Sequence, residues 1–303
     1  MNKQLTILCP NKSVFSNYIL NKFSKNFIST FKNIDQKKYE KICHNYNIIL
    51  TRHTHKIKYK KNSQIKFILS PTTGLNHIDK KIIKEKKIKI IYLKDTSLLK
   101  NVRATAEHTV FLILYLLRRN SLNLNFGFKK NYEKYISHEL HNKKVAIIGM
   151  GRIGEILKKI LKGFDVKLIT FDKKKKNKLN LKQIFKVADI ITLHINGYKS
   201  NNNFISKDLI KNMKKGSMLI NTARGEIIDQ KQLFDLSIKN NIKLGLDVLK
   251  NEQSENNNIK LILKKNKNSI ITPHVAGLTK ESIEKTDRII WKYFIKEIYE
   301  KKL

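Results

Sequence analysis

Short apolar runs recur along this chain at regular intervals. In the first hundred positions, residues 5–9, 47–51, 65–69 and 88–93 are mostly apolar. Residues 144–148, 166–171, 190–193, 218–221, 243–248 and 270–272 repeat the habit further on. Runs this short, with little polar alternation, predict strands covered on both faces, as in a parallel sheet. Between them the apolar residues return at helical spacing, for example over about 13–23, so strands and helices alternate as βα units. Residues 104–119 predict a long, mostly buried helix, and residues 279–301 a terminal one. The pattern restarts at Lys144, which predicts two α/β domains. The polar stretches 196–203 and 251–258 read as loops that follow strands.

The restart carries the first chemistry. The run from Lys144 breaks into Gly149, Gly151 and Gly154 and continues as a helical pattern. A strand, a glycine turn and a helix in this order suit a dinucleotide. Gly149 permits the tight turn, Gly151 admits a pyrophosphate to the backbone, and Gly154 lets the helix pack on the strand. The helix start then offers free N–H groups and the positive end of its dipole to phosphate. Asp172 ends the next strand candidate, roughly 20 residues further on, where an acid accepts from both ribose hydroxyls and repels a 2′-phosphate. Lys173 to Lys176 partly offset that repulsion; the balance favours NAD over NADP.

Three further strand ends bear reactive side chains. Asn221-Thr222-Ala223-Arg224-Gly225 follows an apolar run, and an Arg there grips a carboxylate in two-pronged fashion or pairs with a structural acid. Thr272-Pro-His274-Val-Ala-Gly277 ends another, and its position raises His274 above the other eight histidines as a candidate acid–base group. Glu252, in the loop after Leu244-Gly-Leu-Asp247-Val248, reads by itself as a surface charge.

Composition changes the picture little. At 303 residues the chain can bury a large core, and length agrees with two domains. The longest clear apolar run, 110–117, is far short of a membrane span, so no membrane association is expected. The N-terminus lacks the features of an export signal, and two cysteines, Cys9 and Cys43, fit a reducing cytoplasm. The net charge of +39 invites a nucleic-acid partner. Yet only seven of the 63 basic residues are Arg, the residue that reads bases and grips phosphate in two-pronged fashion. Lysine spread over every predicted helix reads as solvated surface, and no specific nucleic-acid partner is expected.

Taken in order, the glycine loop, the strand-end Asp, Asn-Thr-Ala-Arg-Gly, Leu-Asp-Val-x-x-x-Glu and Thr-Pro-His-x-x-Gly resemble the D-isomer-specific 2-hydroxyacid dehydrogenases. That family includes the phosphoglycerate, glycerate, formate and D-lactate dehydrogenases. Upstream, Thr73-Gly-Leu-Asn-His-Ile-Asp79 and Asn101-Val-Arg-Ala-Thr-Ala-Glu107-His108 match as well, so the similarity spans about 47–290. The resemblance implies two Rossmann-like or flavodoxin-like domains. The NAD-binding domain, 101–275, is inserted into a substrate domain of 1–100 plus 276–303, with the active site in the cleft between them. It implies a catalytic triad of Arg224, Glu252 and His274. Arg152 and Ile153 would meet the pyrophosphate, and Asp172 the ribose. Thr222, Ala223, Arg224, Asp247 and His274 to Gly277 would line the nicotinamide, and backbone near Thr73 and Gly74 would cradle the substrate carboxylate. Histidine ordinarily titrates near pH 6.5, which suits proton transfer to and from a hydroxyl. The long helix from Ala104 implies a homodimer.

The expected activity is hydride transfer between nicotinamide and C2 of a D-2-hydroxy acid or 2-oxo acid, with 3-phosphoglycerate one candidate. The rival is a non-catalytic, NAD-sensing scaffold of the same fold, against which the retained triad argues. The chain departs from the family pattern at Gln253 and Asn196, where proline is usual. The loop Thr51-Arg-His-Thr-His-Lys-Ile57 lacks a second Arg for a substrate phosphate, a place that Arg52, Lys56 or the histidines would have to fill. No C-terminal regulatory domain is expected.

Overall fold

The computed structural model describes residues 5–84, 87–94, 96–119, 132–250, 266 and 268–300. The chain divides into two compact units, Met1–Val102 with Leu278–Leu303, and Arg103–Gly277.

The first unit is a five-stranded parallel sheet in the order β2-β1-β3-β4-β5, built from β1 (Thr6–Cys9), β2 (Ile28–Phe31), β3 (Ile48–Leu50), β4 (Phe67–Ser70) and β5 (Lys89–Tyr92). Successive strand residues point to opposite faces, and here both faces are covered. Ile7, Cys9, Ile48, Leu50, Leu69 and Ile91 join one core with Phe23, Ile290 and Phe294. Leu8, Ile49 and Ile68, their immediate neighbours, join another with Tyr39, Ile57, Ile78 and Ile82. Hence the runs show no polar alternation. Helix α1 (Asn17–Asn26) is capped by Ser16, α2 (Gln36–Ile42) by Asp35, and α3 spans Lys80–Lys84.

The second unit is a six-stranded parallel sheet. Its strands are β6 (Lys144–Ile148), β7 (Lys167–Phe171), β8 (Ile190–Leu193), β9 (Met218–Asn221), β10 (Lys243–Leu246) and β11 (Ile270–Ile271), in the order β11-β10-β9-β8-β6-β7. The same alternation holds: Ala146 and Ile148 enter one core, Val145 and Ile147 the other. Helices α4 (Ala104–Arg118), α5 (Arg152–Lys162), α6 (Leu181–Val187), α7 (Lys207–Lys211) and α8 (Gln230–Lys239) complete it. Because β6 pairs with β7 on one side and β8 on the other, the strand order reverses at β6, and such a reversal opens a crevice at the carboxyl ends of the strands.

The terminal helix α9 (Lys280–Glu300) packs in the first unit, with Trp291 edge-on to Phe23 at 5.1 Å between ring centroids. A buried ion pair fixes it there. Arg52 Nη2 donates to Asp287 Oδ1 at 2.7 Å, and Asp287 Oδ2 accepts from the Ser16 amide and hydroxyl, each at 2.8 Å.

Candidate active site

The crevice of the second sheet is a cavity of about 650 Å³ lined by Gly149 to Gly151, Asp172, His194 and Asn196, among others. Gly149 has φ +101°, and a Cβ there would lie 2.6 Å from the His194 carbonyl oxygen, so no other residue fits. A Cβ on Gly154 would lie 2.2 Å from the Gly149 carbonyl, which is how closely α5 approaches the turn. At Gly151, by contrast, a Cβ would meet nothing within 4 Å: the space stands open where a phosphate would approach. Gly151 is also the N-cap of α5 and brings no side chain to bond the first helical amides, those of Arg152, Ile153 and Gly154. The Asp172 carboxylate lies at the crevice rim and accepts from the amides of Met150 (2.9 Å) and Lys174 (2.9 Å). Those bonds, the Lys174 one foremost, hold it below the usual carboxylate range and therefore ionised at neutral pH. Two of the four lysines that follow are engaged elsewhere: Lys173 Nζ bonds Asn201 Oδ1 and sits over the Phe204 ring, and Lys175 pairs with Glu155. The cavity and its donors fit an adenosine diphosphate moiety, with an acid placed to favour an unphosphorylated ribose.

At the carboxyl ends of β10 and β11 one carboxylate organises a turn. Asp247, almost fully buried, accepts from the Thr272 hydroxyl (2.5 Å) and from the amides of Val275 and Ala276, each at 2.9 Å. The Thr272 hydroxyl spends its one O–H donating to Asp247, so it accepts at 3.0 Å from His108 Nε2, which makes that nitrogen the protonated one. Burial holds His108 below the ordinary histidine pKa, with the Asp247 charge pulling the other way. The turn so fixed carries His274 at φ +55°, its amide bonded to the carbonyls of Asp247 and Thr272. A non-glycine residue in that conformation costs about 1–2 kcal/mol, which these bonds offset.

Arg224 follows β9 in an extended conformation, its carbonyl accepting from Asn221 Nδ2 and its Nη1 donating to the Ala223 carbonyl. Its aliphatic stem rests where a Cβ on Gly197 would be, 2.8 Å from Arg224 Cγ. Thr222 is buried, its hydroxyl 2.9 Å from that of Thr109 on α4. Glu252 lies outside the described residues.

In the first unit, Ser70, Thr72 and the Gly74 carbonyl form a chain of 2.8 Å hydrogen bonds that shapes the loop after β4. Among the described residues, the amides of Thr73 and Gly74 have no partner in the fold, which leaves them free for an anion. His77, behind them, bonds Ser70 through Nε2, and burial pushes it down to about 4, so it is neutral at physiological pH. Arg52 is committed to Asp287, Thr286 and the Pro71 carbonyl, so the one arginine of the 51–57 loop serves to anchor α9.

Residues 110–276 match the family model for the NAD-binding domain of D-isomer-specific 2-hydroxyacid dehydrogenases, more than half of the chain. The chain belongs to that family. An erythronate-4-phosphate dehydrogenase from Wigglesworthia glossinidia brevipalpis is 29% identical over 90% of this chain and 68% of its own length. A hydroxypyruvate reductase from Thermotoga maritima is 27% identical over 84% of this chain and 85% of its own. Among solved structures, Aquifex aeolicus D-lactate dehydrogenase in complex with NAD and lactic acid superposes with a TM-score of 0.76, 25% identity, and coverage of 97% and 96% of the two chains.

As a member of this dehydrogenase family the chain is an NAD-dependent oxidoreductase; Gly149, Gly151 and Asp172 line the crevice, and Gly154 packs against its turn. Within the second unit, Thr222, Ala223, Arg224, Asp247 and His274 to Gly277 all lie at or just beyond the carboxyl ends of the adjacent strands β9, β10 and β11. Sequence reasoning named His108 only as the end of a matching motif, without a role, and did not find Thr109; both supporting roles depend on how α4 packs. Nor did it find Gly197, since a lone glycine in a polar loop carries no signal of what passes over it.

Proposed function

We propose that this dehydrogenase interconverts a D-2-hydroxy acid and the corresponding 2-oxo acid with His274 as the acid–base group. The observation that carries the reading is the Asp247-built turn, which holds His274 in a left-handed conformation at the carboxyl end of the sheet. Backbone held in this way marks residues whose direction matters. In oxidation the His274 imidazole takes the proton of the C2 hydroxyl; in reduction it returns one to the C2 oxygen. The Arg224 guanidinium holds the carboxylate and polarises the C2 oxygen. Glu252 is assigned as the carboxylate that stabilises the His274 imidazolium. The free amides of Thr73 and Gly74 serve the first unit as a carboxylate cradle, which makes that unit the substrate-binding one. NAD, when bound, supplies the hydride acceptor; Arg152, Ile153 and Asp172 hold its pyrophosphate and ribose, and Thr222, Ala223, Asp247 and Gly277 flank its nicotinamide.

The chain is assigned to the cytoplasm as a homodimer. Cys9 and Cys43 are free thiols, and Phe111 on α4 is 47% exposed in a helix otherwise rich in buried side chains. A short 2-oxo acid is the substrate class, with the phosphorylated precursor of 3-phosphoglycerate among its members. A panel of pyruvate, glyoxylate, hydroxypyruvate and phosphohydroxypyruvate with NADH, followed by absorbance loss, identifies it. His274→Ala should lower turnover on the best substrate about 100- to 10,000-fold while NAD affinity holds. Undiminished turnover in that variant would remove the acid–base assignment.

A further inference from the structure

The opposite end of the second sheet, where its strands begin, holds a cavity of about 170 Å³. Its rim is cationic, and the charges come from separate elements. Lys143 precedes β6, Lys214 and Lys215 precede β9, Lys243 opens β10, and His138 lies before them all. Among the described residues one acid, Asp189, lines the cavity, and both its oxygens are engaged. Asp189 Oδ1 takes Lys214 Nζ at 2.7 Å, and Oδ2 takes the Lys144 amide at 2.8 Å. Among the described residues, Lys143, Lys215 and Lys243 form no ion pair, although Lys143 lies close enough to the Asp189 carboxylate to help hold it ionised.

In a chain of net charge +39 an exposed lysine is ordinary. Lys215 is one such, but the other two differ. Lys143 and Lys243 are half-buried rather than fully solvated. Lys243 is also held below the usual lysine value, by burial first and by the charge of Lys143 second. Two like charges are thus kept close in a partly dry recess, an arrangement that an anion between them would relieve. The volume limits the anion. At about 30 Å³ per water the recess takes roughly five or six waters, and pockets for drug-sized ligands begin near 300 Å³. A phosphoryl group fits; a nucleotide does not.

We propose that the recess among Lys143, Lys215 and Lys243 is an anion-binding site for a phosphoryl group, supplied as inorganic phosphate or as a small phosphate monoester. It lies at the far end of the strands from the nucleotide crevice, so both are occupied together.

The test uses NAD-saturated protein, which keeps the glycine loop filled. Inorganic phosphate and glycerol 3-phosphate are titrated separately by calorimetry, with ionic strength held constant by chloride. At least one of them should bind at one site per chain beside bound NAD. Lys143→Gln, Lys243→Gln and the loop variant Lys215→Gln should each weaken it about tenfold. Lys207→Gln and Lys211→Gln, exposed on α7, should leave it unchanged. Binding of only one titrant identifies the source. Absence of binding by both, or equal weakening by the α7 variants, overturns the proposal. Thermal unfolding of each variant establishes that it is folded, and Lys215→Gln repeats the test without altering a strand.

Discussion

Asp247 shows how much one buried side chain can direct. The family resemblance placed it beside the nicotinamide; its bonds show it as the post around which residues 272–276 turn. Its two oxygens accept from two amides and a hydroxyl, and that demand separates a carboxylate from its nearest isostere. Asp247→Asn keeps one accepting oxygen and sets an NH2 against donors already in place. The expected cost is about 1–3 kcal/mol of stability in urea unfolding and about 100-fold in turnover through a displaced His274. NAD affinity should change far less. Turnover equal to that of the parent would mean that the turn holds His274 without this carboxylate. The motif Leu-Asp-Val announces an acid at a strand end, but it says nothing of which amides fold back to meet it.

At the scale of elements, the strands were the most legible part. Unbroken apolar runs predicted β1, β3, β4 and β5 to within about two residues, because both faces of that sheet are covered. β2 escaped notice for the converse reason. It lies at the sheet edge, its Ile28 is 59% exposed, and Ser29 and Thr30 break the apolar run. α2, of seven residues with four charges, buries only Tyr39 and has almost no periodic signal. The family resemblance already grouped the terminal helix with the first domain, but the contact that anchors α9 was hidden, since nothing in the sequence links Arg52 to Asp287, 235 positions apart. Burial lowers Arg52 and raises Asp287, each against the pull of its partner, so desolvation opposes a good part of the pair's attraction. Removing one partner strands the other. Asp287→Ala should cost about 3–5 kcal/mol, whereas the paired replacement Arg52→Met with Asp287→Leu should come close to the parent. Chemical denaturation of the three proteins measures the difference, and a double variant as weak as the single one would refute the account.

For the whole molecule, charge and burial combine into a pH response. Burial pushes both His77 and His194 down to about 4, against an ordinary value of 6.5. A histidine held neutral in this way contributes stability that is fully present above pH 6.5 and is lost as the pH falls towards 4, because the unfolded chain takes up the proton first. Each can contribute at most about 3 kcal/mol across that window. The urea midpoint should therefore be level from about pH 8 to 6.5 and fall below it, and His77→Gln should flatten the fall. Added salt should weaken the part due to self-repulsion at +39 and spare the part due to burial. A midpoint that stays level down to pH 5 would show these rings to be protonated within the fold.

The same discontinuity that makes one unit from two stretches of chain also sets an order of assembly. Residues Arg103–Gly277 are contiguous and can close their core as soon as they are made. The first unit cannot: Ile290 and Phe294 fill its core, and Asp287 meets Arg52. During synthesis the earliest part of the chain therefore waits, with apolar strands uncovered, until the whole of the other unit has emerged. Domains generally fold as units in order of synthesis; here the stretch made first is finished last, and that interval is when a chaperone or an aggregate would find it.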